Sequence, residues 1–164
     1  MSYAEFDLYQ SLYPCADEST YHRLSWEAAR ELDRQTTGLD NVRKLKIAFP
    51  ADEEAAEAVR RCECELVHLM AQIEEAEKVR QEAHGLVQQE DGTVKGKVVT
   101  SVSSGSESIS YSTGGNTGTT AIDAAAGSTA ARNVLFADTV RKYLSGVTDA
   151  NGVNLLYMGA YPHV

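Results

Sequence analysis

Along most of this chain apolar side chains return every three or four positions, and over one central stretch every second position. The pattern predicts helices interrupted by a β-ribbon. Tyr3, Phe6, Tyr9 and Tyr13 give the opening segment an aromatic face, Ser2 and Glu5 stand at capping-box spacing, and Pro14 withdraws the N–H that would continue it. A short helix to about Leu12 is expected. A second helix is predicted from about Ser19 to Thr37, with Tyr21, Leu24, Ala28, Leu32 and Gln35 on one side, Trp26 off that stripe and Gly38 as a left-handed cap. A third starts near Pro50 and runs to about Ala83, with Asp52, Glu53, Glu54 and Glu57 near its positive end. Ala55, Val59, Cys62, Leu66, Leu69, Met70, Ile73 and Ala76 form its apolar stripe, and Arg60, Glu63, Glu74 and Glu77 fall on the polar sides.

From Gly85 to Gly96 the apolar period disappears among Gln, Glu, Asp and Gly, which predicts a mobile connection. The stretch Val98 to Gly115 then alternates small apolar or aromatic residues with Ser and Thr. It reads as a hairpin bending near Ser104, Gly105 and Ser106, with Val102 opposite Ile109 and Thr100 opposite Tyr111. A lone two-stranded hairpin is marginal in water, so this one needs another surface or remains a disordered loop. Thr113 to Thr129 is a small-residue linker with a helical turn allowed at its Ala run. A last helix is predicted from Ser128 or Thr129 to Leu144, with Ala130, Val134, Ala137, Val140 and Leu144 inward and Gly146 closing it. Leu155, Leu156, Tyr157, Met158 and Tyr161 make an apolar terminus that frays unless it docks. The expected fold class is mainly α: a small bundle of about four helices with a β-hairpin or flexible Ser/Gly-rich insertion before the last one. One domain is expected, with a helical core in 1–84 and 128–146, an insertion over 85–127 and a tail over 147–164.

Composition narrows the function. Fifteen Lys and Arg against 24 Asp and Glu give a formal net charge of -9, and the one basic cluster is Arg43, Lys44 and Lys46. Such a chain repels polyphosphates, which disfavours sequence-reading of DNA. The three cysteines are an odd number, and Cys62 and Cys64 fall inside a predicted helix, so a reducing compartment is expected. The opening has no signal-peptide pattern and no run of about 18 apolar residues occurs, which predicts a soluble chain with no membrane contact. Cys62 and Cys64 would lie about 200 degrees apart on a helix and cannot share a metal. Cys64 and His68 share a face, yet Cys15, His22, His84 and His163 supply no matching pairs for the roughly four ligands of a zinc site. No nucleophile-elbow, zincin, phosphate-loop or dinucleotide-binding motif occurs. Acidic pairs such as Glu53 and Glu57 read as a solvated face, and the tyrosines of the first helix as core. No enzyme activity, cofactor or metal is expected.

Five segments in order carry a resemblance: "SYAEFDLYQSLYP", "TYHRLSWEAARELDRQTTG", "AVRRCECELVHLMAQI", "SSGSESISYS" and "VRKYLSGVTDANGVNLLYMGAY". Together they resemble the small head-tail connector proteins, also called head-completion or adaptor proteins, of long-tailed bacteriophages and prophages. The resemblance implies a structural virion protein of the neck, assembled in the host cytoplasm as a ring of self-copies, dodecameric in the family. Such a ring sits between the portal and a tail-completion or stopper protein and extends the channel for DNA, which passes without sequence-specific binding. In "LYMGAY" Met158 stands where the family commonly has an arginine, so the terminus is left with an apolar or a charged contact.

On that reading, the hairpin residues Val102, Ile109 and Tyr111 and the tail residues Leu155, Leu156, Tyr157, Met158 and Tyr161 are the partner-binding candidates. Neighbouring copies would supply the surface that ribbon and tail lack. A helical adaptor or regulator of the bacterial cytoplasm, binding a protein partner by helix-in-groove contacts, is the alternative from a different class.

Overall fold

A computed structural model describes residues 2–83, 86–88, 94–96, 102–104, 107–109 and 120–162 of the chain. Its axis is the long helix expected from Pro50. In chain order the helices are α1 (Phe6–Leu12), α2 (Glu18–Thr36), α3 (Lys44–Ile47), α4 (Glu53–Ala83), α5 (Ala121–Gly127) and α6 (Thr129–Leu144). The 31 residues of α4 span about 46 Å at the usual rise per residue. Helices α1, α2, α5 and α6 all pack against it, which makes the fold a mainly α bundle.

Local chemistry sets most helix starts. Asp17 caps α2 by accepting from the Thr20 N–H at 2.9 Å, and the Asp52 carboxylate accepts from the Ala55 N–H at 3.0 Å before α4. Thr120 and Asp123 close a reciprocal capping box on α5, and Ser128 caps α6. The capping box expected from Ser2 and Glu5 is absent, because Ser2 turns instead to the carboxylate of Glu63.

The core runs along α4. Val59, Cys62, Cys64, Leu66 and Val67 are fully buried, with Leu24, Ala28 and Leu32 of α2, Ala125 of α5 and Val140 and Leu144 of α6. Each large aliphatic side chain buried in this way is worth about 1.5–3 kcal/mol. Cys62 and Cys64 are both buried although they point about 200 degrees apart, so α4 is covered on opposite sides and not along one stripe. Ala56, not Ala55, is the buried alanine of its first turns. Tyr9, Tyr13 and Tyr21 meet in tilted pairs, with ring centroids 5.1 Å apart for Tyr9–Tyr13 and for Tyr9–Tyr21. The bidentate Arg23–Glu74 pair ties α2 to α4, and the Arg132–Glu77 pair ties α6 to α4.

Several expectations are corrected. Residues 121–127, where the expected linker allows a helical turn, form the full helix α5 and belong to the core, with Ala125 fully buried. Helix α6 turns a different face inward in its first half: Ala130 is exposed and Val134 is 60% exposed, while Phe136 and Thr139 are buried. Phe136 is the largest apolar side chain there, and burying it sets the helix rotation against a stripe of small residues. Glu63, placed on a polar side, is fully buried. Gly38 does not take the left-handed conformation expected of a cap, whereas Gly146 does, at φ 82° just past α6.

Between α4 and α5 there are two antiparallel pairs: β1 (Leu86–Gln88) with β2 (Val94–Gly96), and β3 (Val102–Ser104) with β4 (Glu107–Ile109). The first pair places an antiparallel ladder of 86–88 with 94–96 where a mobile connection is expected. In the second, Val102 is the partner of Ile109, the register derived from the alternation. Thr100, Tyr111 and the bend residues Gly105 and Ser106 lie outside the described residues.

Candidate interaction site

The last residues build a small hook on the end of α6. Leu155 N–H donates to the Val147 carbonyl at 2.9 Å and Thr148 bridges Asn154, which folds the chain back on itself. Asp149 organises the bend: its Oδ1 accepts from the N–H groups of Asn151 and Val153, each at 2.9 Å, and its Oδ2 accepts from the Tyr161 hydroxyl at 2.7 Å. The Asn151 amide donates to that hydroxyl at 2.8 Å. Gly152 supplies the tight turn at φ 77°. Residues 147–161 are therefore held to one another by their own bonds.

Beyond the helix end it grows from, the hook's hydrogen bonds to the body fall on one stretch, 38–48, while Leu155 sits in the main core with Val147 and Leu156 packed beside it. Lys44, fully buried on α3, donates from Nζ to the Leu155 carbonyl at 3.1 Å and to the Tyr157 carbonyl, with the Tyr157 ring centroid 5.8 Å away. Burial pulls the Lys44 pKa below its ordinary value, and the Asp149 and Asp40 carboxylates pull it back up. The Leu39 N–H donates to the Met158 carbonyl at 3.0 Å, the Tyr161 N–H to Asp40 at 2.6 Å and the Ala150 N–H to the Ala48 carbonyl at 3.4 Å. Gly38 is glycine for closeness: a Cβ there would sit 2.5 Å from the Gly159 carbonyl oxygen. A Cβ on Gly159 would instead meet the Tyr157 phenol.

This arrangement divides the tail residues singled out from the sequence. Leu155 is fully buried and Tyr161 is buried, so both are anchors within their own chain and not free contact residues. Leu156 is half-buried against the core. Tyr157 and Met158, 50% and 54% exposed, stand beside Leu39, which is 83% exposed. The expectation of a terminus with no local home is thus overturned for its anchors, while an outward apolar edge remains. Val102 and Ile109 are brought together as cross-strand partners, and Tyr111 lies outside the described residues.

The opening segment is fastened by the opposite charge. Ser2 Oγ donates to Glu63 Oε1 at 2.6 Å, and the Tyr3 and Ala4 N–H groups donate to Glu63 Oε2 at 2.7 Å each. Burial raises the Glu63 pKa, and these three donors work against it. Burial also pushes the Cys62 and Cys64 thiols up to about 12, so both stay protonated. Cys15 is exposed. Open clefts among the described residues include two of note. One, of about 770 Å³, mixes Arg30, Arg34 and Arg43 with Glu27, Glu31 and Asp33; Arg34 is paired with Glu31, and Asp33 with Lys46. The other, of about 470 Å³, has Tyr13 stacked on His68 at 4.0 Å, and burial holds the His68 pKa down. Among the described residues no group of three or more His, Cys, Asp or Glu is placed to hold a metal ion, and no helix is long and apolar enough to cross a membrane.

No protein-family model, curated protein or solved structure matches the chain. Lys44, Asp149, Asp40 and Leu39 were not singled out as site residues from the sequence. Lys44 stood in the one basic cluster, where "RKLKI" alternates charge and apolar side chains, and "TDANG" carries the turn chemistry that Asp149 organises.

Proposed function

We propose that this protein is a structural component of a tailed-phage neck. In this reading copies form a ring that joins the portal of the DNA-filled head to the tail and extends the DNA channel. The observation that carries it is the outward edge of Leu39, Tyr157 and Met158, the last two from the segment "VNLLYMGAY" that also carries the resemblance to head-tail connectors. Exposed aromatic and Met side chains on a rigid frame are what a protein–protein contact uses. The pairing of Val102 with Ile109 supports a ribbon able to add edges to a neighbour. An acidic ring surface would let DNA pass without adhering.

The test is solution mass, measured for the purified protein alone and mixed with its portal. A ring or a portal-bound assembly is expected, and particles made without this protein should be DNA-filled heads lacking tails. A monomer that ignores the portal, together with normal infectious particles, overturns the reading. That result would favour the cytoplasmic adaptor.

A further inference from the structure

We infer that the hook is an exchangeable element: in the assembled protein, residues 147–161 of one copy dock on the 38–48 segment of the next. This rests on the ring reading for its setting, since neighbours must be close. Three features of the single chain carry it. First, the hook keeps its own shape, through the Asp149 bonds to Asn151, Val153 and Tyr161 and the Val147–Leu155 bond. It can therefore move as a unit. Second, it joins α6 at Gly146, whose φ of 82° only glycine adopts freely, so a change of backbone angle there costs less than at any residue bearing a side chain. Third, its hydrogen bonds to the body fall on the 39–48 stretch, chiefly on the buried Lys44 ammonium that takes two carbonyls two residues apart.

Those contacts also define the occupant. Lifting the hook strips the Lys44 ammonium of its two carbonyl acceptors and uncovers the place that Leu155 fills, so the occupant that restores both contacts has the same paired carbonyls and an apolar side chain at the Leu155 position. An identical segment from a second copy meets that demand with the same bonds. Home and exchanged states then differ mainly in the joint and in effective concentration, and that difference shrinks when a neighbour is held alongside. Exchange would link each copy to the next without any new surface being needed.

The test uses full-length chains in a Cys15→Ser background. One carries Leu39→Cys at the socket and the other Ala160→Cys on the hook, so that a short bis-maleimide can join socket to hook only across two copies. A chain carrying both cysteines is the reference. Exchange predicts covalent pairs containing one chain of each kind in the assembled fraction of the mixture. It also predicts that the reference chain links within itself when dilute and into ladders when assembled. Adding Lys44→Met to the socket chain should abolish the mixed pairs, with circular dichroism checking that helix content is kept. Assembly without mixed pairs, while the reference links only within itself, overturns exchange and leaves the ring. Absence of both assembly and mixed pairs overturns both.

Discussion

Two buried charges of opposite sign fasten the two ends of the described chain, and they work through backbone atoms. Glu63 takes amide hydrogens from Tyr3 and Ala4, and Lys44 gives hydrogens to the carbonyls of Leu155 and Tyr157. Truncation of Glu63 to alanine strands three donors, although the opening segment can lift into water and recover part of the loss. A destabilisation of about 2 kcal/mol is expected. For a chain of this size that is a fall of roughly 4–8 °C in Tm, read by thermal denaturation. Amide exchange at Tyr3 and Ala4 should rise in the same variant. Because burial raises the Glu63 pKa, the ionised form is the less favoured one in the folded state. Its contribution is full below the unfolded value and is lost as pH rises through the folded one. Comparison of the chain with Glu63→Gln across that window should show the wild type losing stability relative to the variant as pH increases.

At the scale of elements, the hook and the 38–48 stretch meet backbone to backbone. Gly38→Ala puts a Cβ against the Gly159 carbonyl, which has no flexible end to move aside, so about 1–3 kcal/mol is expected, with faster exchange of the Leu39 amide. Gly159→Ala meets only the far end of Tyr157, so it should displace that ring at little cost in Tm and weaken any contact made by the outward edge. The sequence made much of this scale readable. The period of α2 and α4 places Tyr21, Leu24, Leu32, Val59, Leu66 and Ile73 correctly because many large side chains vote for one face. On α6 it places Val140 and Leu144 correctly and fails in the first half, where Ala130 and Val134 outline a stripe that Phe136 outweighs. It fails on α3 and the hook as well. Their order comes from contacts between residues more than a hundred positions apart, such as Lys44 with Leu155, which no local period records. Gly38 looked like a cap because the sequence reveals that a side chain is missing but not whether conformation or crowding forbids it.

For the whole molecule, the buried phenols and thiols set a sensitivity to alkaline pH. Burial raises the pKa of Tyr3, Tyr9, Tyr13 and Tyr143, lifts Tyr21 to about 12, and lifts Cys62 and Cys64 to about 12. Each is an acid that keeps its proton longer when folded. The unfolded chain therefore binds fewer protons above pH 9, and stability falls as pH climbs through the folded values. Lys44 runs the other way, because its lowered pKa means the folded chain sheds a proton first, but the raised phenols and thiols, Tyr161 among them, outnumber it. Thermal scans from pH 8 to 12 should show a falling Tm; a flat profile would mean that these phenols and thiols are less well covered than the packing around α4 implies.

The different fates of the three cysteines have a practical use. Cys62 and Cys64 are sealed on opposite sides of α4 with their protons held tightly, while Cys15 stands in the open just past α1. The unaltered chain should take up a single maleimide dye under native conditions and three after denaturation, as counted by intact mass. One fluorophore per subunit at a known place would allow copies in an assembly to be counted by stepwise photobleaching, with no engineered handle at all.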